Sequence, residues 1–338
     1  MTMTMRNKAY SVLLSLALIA SACAAETAAE QTSETAAEPL DSAETAEPET
    51  AVEQTSETVA EPLDSAETAE PETAVSSETA SSGFSAVSAG HFHSCGLRAG
   101  GKIECWGGNY EGQSSPPSGS FTAVSAGGVH SCGIRTGGTV KCWGDDTDGQ
   151  SSPPSGSFTA VSAAGQHSCG IRTGGTVECW GRDYNGESSP PSGSFTAVSA
   201  GWRHSCGLRT GGSLECWGGN YEGESSAPSG SFTAVSTDGS HSCGIRTGGT
   251  VECWGDDFRG RSPSGSFTAV SAAGQHSCGI RTGGSLECWG YDGDGRSSPP
   301  SGSFTAVSAG WGHSCGIRTG GTVECWGNDD SGQSSSPS

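Results

Sequence analysis

From Phe84 onward the chain repeats one pattern seven times. The stretch FTAVSA, with FSAVSA in the first copy and FTAVST in the fifth, starts at Phe84, Phe121, Phe158, Phe195, Phe232, Phe267 and Phe304, at intervals of 37 residues except for one of 35. A period of this size marks a supersecondary unit too small to bury a core alone, so neighbouring copies must stack. Within each copy three segments read as short strands, FTAVSA, HSCGIR and TVECWG, separated by a bend and by a Thr-Gly-Gly turn. β-Branched and aromatic residues bounded by Gly, Ser and Pro argue for an antiparallel meander, and helix signals are missing. Phe84 and Val87 are expected on opposite faces of the first strand, which a neighbouring sheet would then cover on both sides.

The turn sets the register of the cysteines. If its second Gly is left-handed, residues 98 and 102 pair across it, followed by 97 with 103, 96 with 104 and 95 with 105. Cys95 and Cys105 then face each other on one side of the hairpin, a geometry that permits a bridge. The same offset pairs Cys132 with Cys142, Cys169 with Cys179, Cys206 with Cys216, Cys243 with Cys253, Cys278 with Cys288 and Cys315 with Cys325. Fourteen of the 15 cysteines are used and Cys23 is left over. Zinc is the rival, but each repeat offers two ligands and no tight CxxC knuckle. The other hairpin face carries Arg98, Glu104 and Trp106 beside the small Gly96, which suggests interlocking sheets with the CWG tryptophans in the core.

The segments before the repeats are of another kind. Residues 1–23 carry Arg6 and Lys8, a short apolar run and then Ser21-Ala22-Cys23. This reads as a secretory signal peptide, since the run is too short to span a bilayer. Two readings of its end stay open: Cys23 as the lipidated first residue of a bacterial lipoprotein, or plain secretion with Cys23 free or paired. Residues 24–82 are almost entirely Ala, Glu, Thr, Ser and Pro, and they hold 16 acidic residues and no basic one. Such a segment cannot offset its ordering entropy, and a disordered acidic linker is expected. Of the net charge of −21, only −7 then belongs to the repeats, with 21 acidic and 14 basic residues, and nothing basic remains for nucleic acid. A secreted chain is also the compartment in which disulfides persist.

The string AVSAGxxHSCGIRTGGTVxCWGxxxxGQ resembles the repeat of the regulator of chromosome condensation family, and its short period is similar to that of the bacterial propeller-type β-lactamase inhibitory proteins. The resemblance covers 84–338. It implies a seven-bladed β-propeller, all-β, of three-stranded antiparallel blades over 83–338. Its functional implications diverge: guanine-nucleotide exchange for the first family, inhibition of an extracytoplasmic enzyme for the second. The signal peptide, the paired cysteines and the acidic balance argue against the first, and the cysteine pairs depart from both.

Comparing the seven copies with one another locates a surface. The Thr-Gly-Gly end hardly varies, whereas the bend after SAG and the exit after CWG differ from blade to blade. Both lie at the same end of a meander. Apart from the repeat-defining Phe and Trp, the aromatics of 84–338 are Phe92, Tyr110, Tyr184, Trp202, Tyr221, Phe258, Tyr291 and Trp311, all in those two loops. With His91, Arg203 and Arg259 they form the expected binding face, because aromatic and Arg side chains on a rigid rim are the anchors of protein recognition. Asp145, Asp146, Asp148, Asp292 and Asp294 offer oxygen ligands but match no complete calcium loop, and Asp also caps turns. The repeated His is expected as a structural hydrogen-bonder beside its Ser, with a metal-binding or pH-sensing ring as the alternative. No unique nucleophile, base and orienting acid occur together, so no enzyme and no cofactor are expected. The sequence thus reads as a monomeric protein-binding scaffold, secreted or tethered to a bacterial envelope, for a protein or another cell-surface macromolecule. The alternative is a specific inhibitor of an extracytoplasmic enzyme.

Overall fold

The computed structural model describes residues 83–256 and 262–338; the expected signal peptide with Cys23, the expected linker, Phe258 and Arg259 lie outside them. Blade 1 consists of β1 (Phe84–Ala89), β2 (His93–Arg98) and β3 (Ile103–Gly107). Six further blades cover 121–144, 158–181, 195–218, 232–255, 267–290 and 304–327. Each is a separate antiparallel sheet with its second strand in the middle. The turn is of the expected kind: Gly101 has φ +84°, a left-handed value that only glycine adopts at no steric cost. Its carbonyl has a further task, accepting the amide of Phe121 in blade 2 at 2.8 Å, and the same bond recurs between every pair of neighbouring blades.

Cys95 pairs with Cys105, Gly96 with Glu104 and Leu97 with Ile103, and all seven intrablade disulfides form. The expectation that Phe84 and Val87 lie on opposite faces is corrected. A bulge at Ser85 shifts the register so that Phe84 faces Arg98, Ala86 faces Leu97 and Val87 faces Gly96. An extra residue inverts the alternation beyond it, so Phe84 and Val87 share one face and Ala86 takes the other. Gly96 is required there, because a Cβ at this position would stand 2.5 Å from the Phe84 ring.

The core lies between blades. The disulfide face of blade 1, with Cys95, Leu97 and Ile103, packs on Phe121, Ala126 and Trp143 of blade 2. Each Phe meets the Trp of its own blade edge to face, and the blade's Arg lies over the Phe, within 3.8 Å for Arg98 on Phe84. In six blades that Arg also pairs with the facing Glu, as Arg98 does with Glu104; Lys141 replaces the Glu in blade 2.

Buried polar groups are joined in a ring. The Gln113 carbonyl, at the end of blade 1's exit loop, accepts from Trp143 Nε1 at 2.8 Å and from Ser131 Oγ at 3.1 Å, both in blade 2. His93 Nε2 lies 2.7 Å from the same Ser131 Oγ. The single hydroxyl proton goes to the carbonyl, so Nε2 must donate, which sets the tautomer. Nδ1 is then a bare acceptor, and in His93, His130, His167, His204, His276 and His313 it is buried without a partner. Closer to the axis, Ser88 Oγ accepts the amide of Ala126 at 2.9 Å, and this bond too is repeated around the ring. Ser88 and its six counterparts line one cavity of about 130 Å³, so the first strands surround the axis.

Among the described residues no strand is exchanged between blades, and blade 7 meets blade 1 through the contacts used everywhere else. Phe84 N donates to Gly321 O at 2.8 Å, His313 Nε2 meets Ser94 Oγ at 2.7 Å, and Cys315 and Ile317 pack on Phe84. The Gln333 carbonyl accepts from Trp106 Nε1 and Ser94 Oγ, each at 3.0 Å. The C-terminal segment therefore completes blade 1. Ending the chain at Gly327 removes the acceptor of both donors, at about 1–3 kcal/mol for each orphaned group. A lower urea midpoint and faster amide exchange in blade 1 are expected. An unchanged midpoint would show that the seam closes on apolar packing alone.

Candidate loop-face recognition site

The two variable loops of each blade touch. Gly108 N donates to Phe92 O at 2.7 Å, Gly219 N to Arg203 O at 2.8 Å and Tyr291 N to Gln275 O at 2.9 Å. The exit loops are stiffened in a common way. Asn109 Oδ1 accepts the Ser114 amide at 2.9 Å, and Asp146, Asp183, Asn220, Asp292 and Asp329 repeat this cap. The Gln113 side chain, buried under its own loop, accepts the Glu111 amide at 2.8 Å, as Gln150, Glu187, Glu224 and Gln333 do in their loops. This plug residue was not singled out from the sequence. Its signal was the recurrent Gln or Glu that ends the repeat string.

Turn bonds occupy Asp145, Asp146 and Asp292, and Asp294 pairs with Arg296. Asp145 accepts from Thr147 and Gln150, and Asp146 from Ser151 and Ser152. Among the described residues no three or more His, Cys, Asp or Glu converge as metal ligands.

Phe92, Tyr110, Tyr184, Tyr221, Tyr291 and Trp311 are the exposed large apolar side chains among the described residues, and every one sits on a variable loop. Tyr184 is 81% exposed and Tyr110 75%. Arg182 lies over Tyr184 and Arg296 over Tyr291, each at 5.2 Å, and Tyr221 Oη donates to Asn185 Oδ1 of the preceding blade at 2.8 Å. These rings are thus held against their neighbours while one surface faces solvent.

His91, Trp202 and Trp311 behave differently, converging from blades 1, 4 and 7 over the axis. His91 stacks on Trp202 at 5.1 Å between centroids and lies 5.0 Å from Trp311, and the two indoles are 5.6 Å apart. Each covers a glycine of the blade before it or after it: His91 approaches Gly128, Trp202 Gly165 and Trp311 Gly274. The loops without an aromatic thus complement those with one. His91 is buried, so it floors this cluster and is not part of the open rim; Arg203 is exposed beside it. Burial lowers the His91 pKa, and Asp238, which also lines the axial cavity, acts the other way. Burial in turn raises the Asp238 pKa against the pull of His91 and of the Gly239 amide.

The fold and this face define a disulfide-stapled seven-bladed propeller with a built loop surface. Four of its repeats, residues 84–113, 121–150, 195–224 and 304–333, match the model of the Regulator of chromosome condensation (RCC1) repeat. These four copies are RCC1 repeats. Among solved structures the chain is similar to the entire ectodomain of the Physcomitrella patens receptor kinase CR4, with 26% identity and a TM-score of 0.63 over 72% of this chain and 74% of that one. It is equally similar to the CRINKLY WD40 ectodomain of the Arabidopsis thaliana receptor kinase ACR4, with 26% identity and a TM-score of 0.63 over 72% of this chain and 97% of that one. Prp20p of Saccharomyces cerevisiae, with 14% identity and a TM-score of 0.58 over 67% and 80%, shares the fold. A search of curated proteins found no match.

Proposed function

We propose that this protein is an extracytoplasmic, non-enzymatic scaffold that binds a protein partner through the loop face of a monomeric propeller. Cys23 and the acidic 24–82 segment serve as its tether to a bacterial envelope. The observation that carries this reading is the confinement of the exposed aromatics to one end of the ring. An enclosed fold gains nothing in stability from exposed Tyr, whereas interface anchors are drawn from such residues. Two features support the compartment: the seven disulfides, which persist in oxidising surroundings, and the likeness to receptor-kinase ectodomains.

The test is affinity capture from the envelope fraction with the wild-type chain, a Tyr110→Ser/Tyr184→Ser variant, and a variant altered at the opposite end, Thr136→Ala/Thr173→Ala. A partner retained by the wild type and the Thr variant should be bound at least about tenfold more weakly by the Tyr variant. Equal retention by all three would refute the loop-face reading. If the partner is an enzyme and loses activity in the complex, the scaffold is an inhibitor.

A further inference from the structure

Beside the axial aromatics the loop face contains a cavity of about 290 Å³, at the small end of the range for ligand sites. Trp202 and Trp311 line it with Tyr221, and Arg203, Glu222, Glu224 and Ser240 provide its polar lining. From this lining we infer that the cavity binds a neutral pyranose ring of a carbohydrate. The inference rests on reading the loop face as a recognition surface, but it uses side chains other than the rim residues Tyr110 and Tyr184.

The site is preorganised. Tyr221 is pinned by Asn185, and the buried Glu224 carboxylate accepts the amides of Tyr221 and Glu222 at 3.2 and 2.7 Å. On the opposite side Arg296 Nη1 donates to the Trp311 carbonyl at 3.0 Å, and Trp311 N donates to Gly90 O at 3.1 Å. Trp311 rests on Gly274, and Trp202 is held between Gly165 and the stacked His91 ring, so the exposed Trp311 and Tyr221 supply the open aromatic surface. A ligand therefore meets fixed aromatic surface with little ordering cost on the protein side.

The polar lining selects among ligands. The buried Glu224 spends its two oxygens on backbone amides, so the open charges are the Arg203 guanidinium and the Glu222 carboxylate, and among the described residues neither makes an ion pair. An organic cation fits the aromatic surface but meets the Arg203 guanidinium. An anion meets Glu222, and a wholly apolar ligand strips water from both charges without replacing it. A pyranose presents C–H groups on its flat face for Trp311 and Tyr221 and hydroxyls around its edge. Those hydroxyls accept from Arg203 and donate to Glu222, with the Ser240 hydroxyl able to do either.

Saturation-transfer NMR on the folded protein, with the methyl glycosides of glucose, galactose, mannose and N-acetylglucosamine, tests this. Transfer to the ring protons of at least one glycoside is expected, weakened about tenfold or more in Trp311→Ser and in Tyr221→Ser, a loss of about 1.4 kcal/mol. Since Trp311→Ser also opens the axial cluster, Glu222→Gln on the exposed loop serves as the second variant. It should weaken binding while leaving the circular dichroism unchanged. Silence from all four glycosides, equal transfer in every variant, or binding of tetramethylammonium or a zwitterionic dipeptide in their place overturns the inference. The Tyr110→Ser/Tyr184→Ser variant separates the two readings. It should keep the glycoside and lose the protein partner, so a failure of one is not a failure of the other.

Discussion

Reducing the seven disulfides is expected to unfold the propeller without denaturant. Each bridge joins cysteines ten residues apart, and closing so short a loop stabilises the fold by about 2.5–3 kcal/mol in the chain-entropy model. Seven of them amount to about 20 kcal/mol, more than the typical net stability of about 5–15 kcal/mol. The first Cys of each blade is fully buried, so attack by a reductant must await local opening. Unfolding in dithiothreitol should therefore be slow in buffer, and faster in urea concentrations that leave the oxidised protein folded. Circular dichroism with thiol counting follows both. A reduced chain that stays folded with 14 titratable thiols would mean that interblade packing suffices alone.

Acid should be the second route to unfolding, in a predictable window. Burial is the largest cause holding His93, His167 and His276 down to about 3 and His130, His204 and His313 down to about 4. In the unfolded chain a histidine titrates near pH 6.5. A pKa lowered on folding means that the unfolded state binds more protons below 6.5. The stability these groups contribute is therefore complete above that pH and is lost as pH falls toward 4 and then 3. The geometry agrees: Nε2 already donates to a Ser, and Nδ1 faces no acceptor that could take a second proton. Each group costs about 1.4 kcal/mol per pH unit within the window. Near pH 5 unfolding should take up about six protons, read from the pH dependence of the urea midpoint. A midpoint that stays level between pH 7 and 5 would refute the neutral histidine ring.

Much of this was legible in the residues because it is local. A Thr-Gly-Gly turn sets the hairpin register, and the register sets which cysteines oppose, so the bridges followed from a few adjacent residues. The interlocking of Gly96 with an aromatic was visible as a small residue beside a large one, although the ring it admits is that of Phe84 as well as Trp106. Even a local reading failed at Ser85, where one bulged residue placed Val87 beside Phe84.

The candidate site was legible in outline, since comparison of the copies located the variable loops and their aromatics. It could not separate those aromatics. Tyr110 and Tyr184 stand open on the rim, while His91, Trp202 and Trp311, each more than a hundred residues from the next, close over the axis. That arrangement depends on where blades 1, 4 and 7 stand around a ring, and no local pattern encodes it.

The amino-acid sequence alone determined the unit: its three strands, its bridge, its turn and the end at which it varies. Short-range sterics and hydrogen bonding act within one repeat and are written anew in each. Only the tertiary structure decided how seven units close without a shared strand, why each His needs the Ser of the next blade, and which aromatics cover the axis. Those outcomes come from packing between residues brought together by ring closure, a contact that exists only when all seven blades are in place.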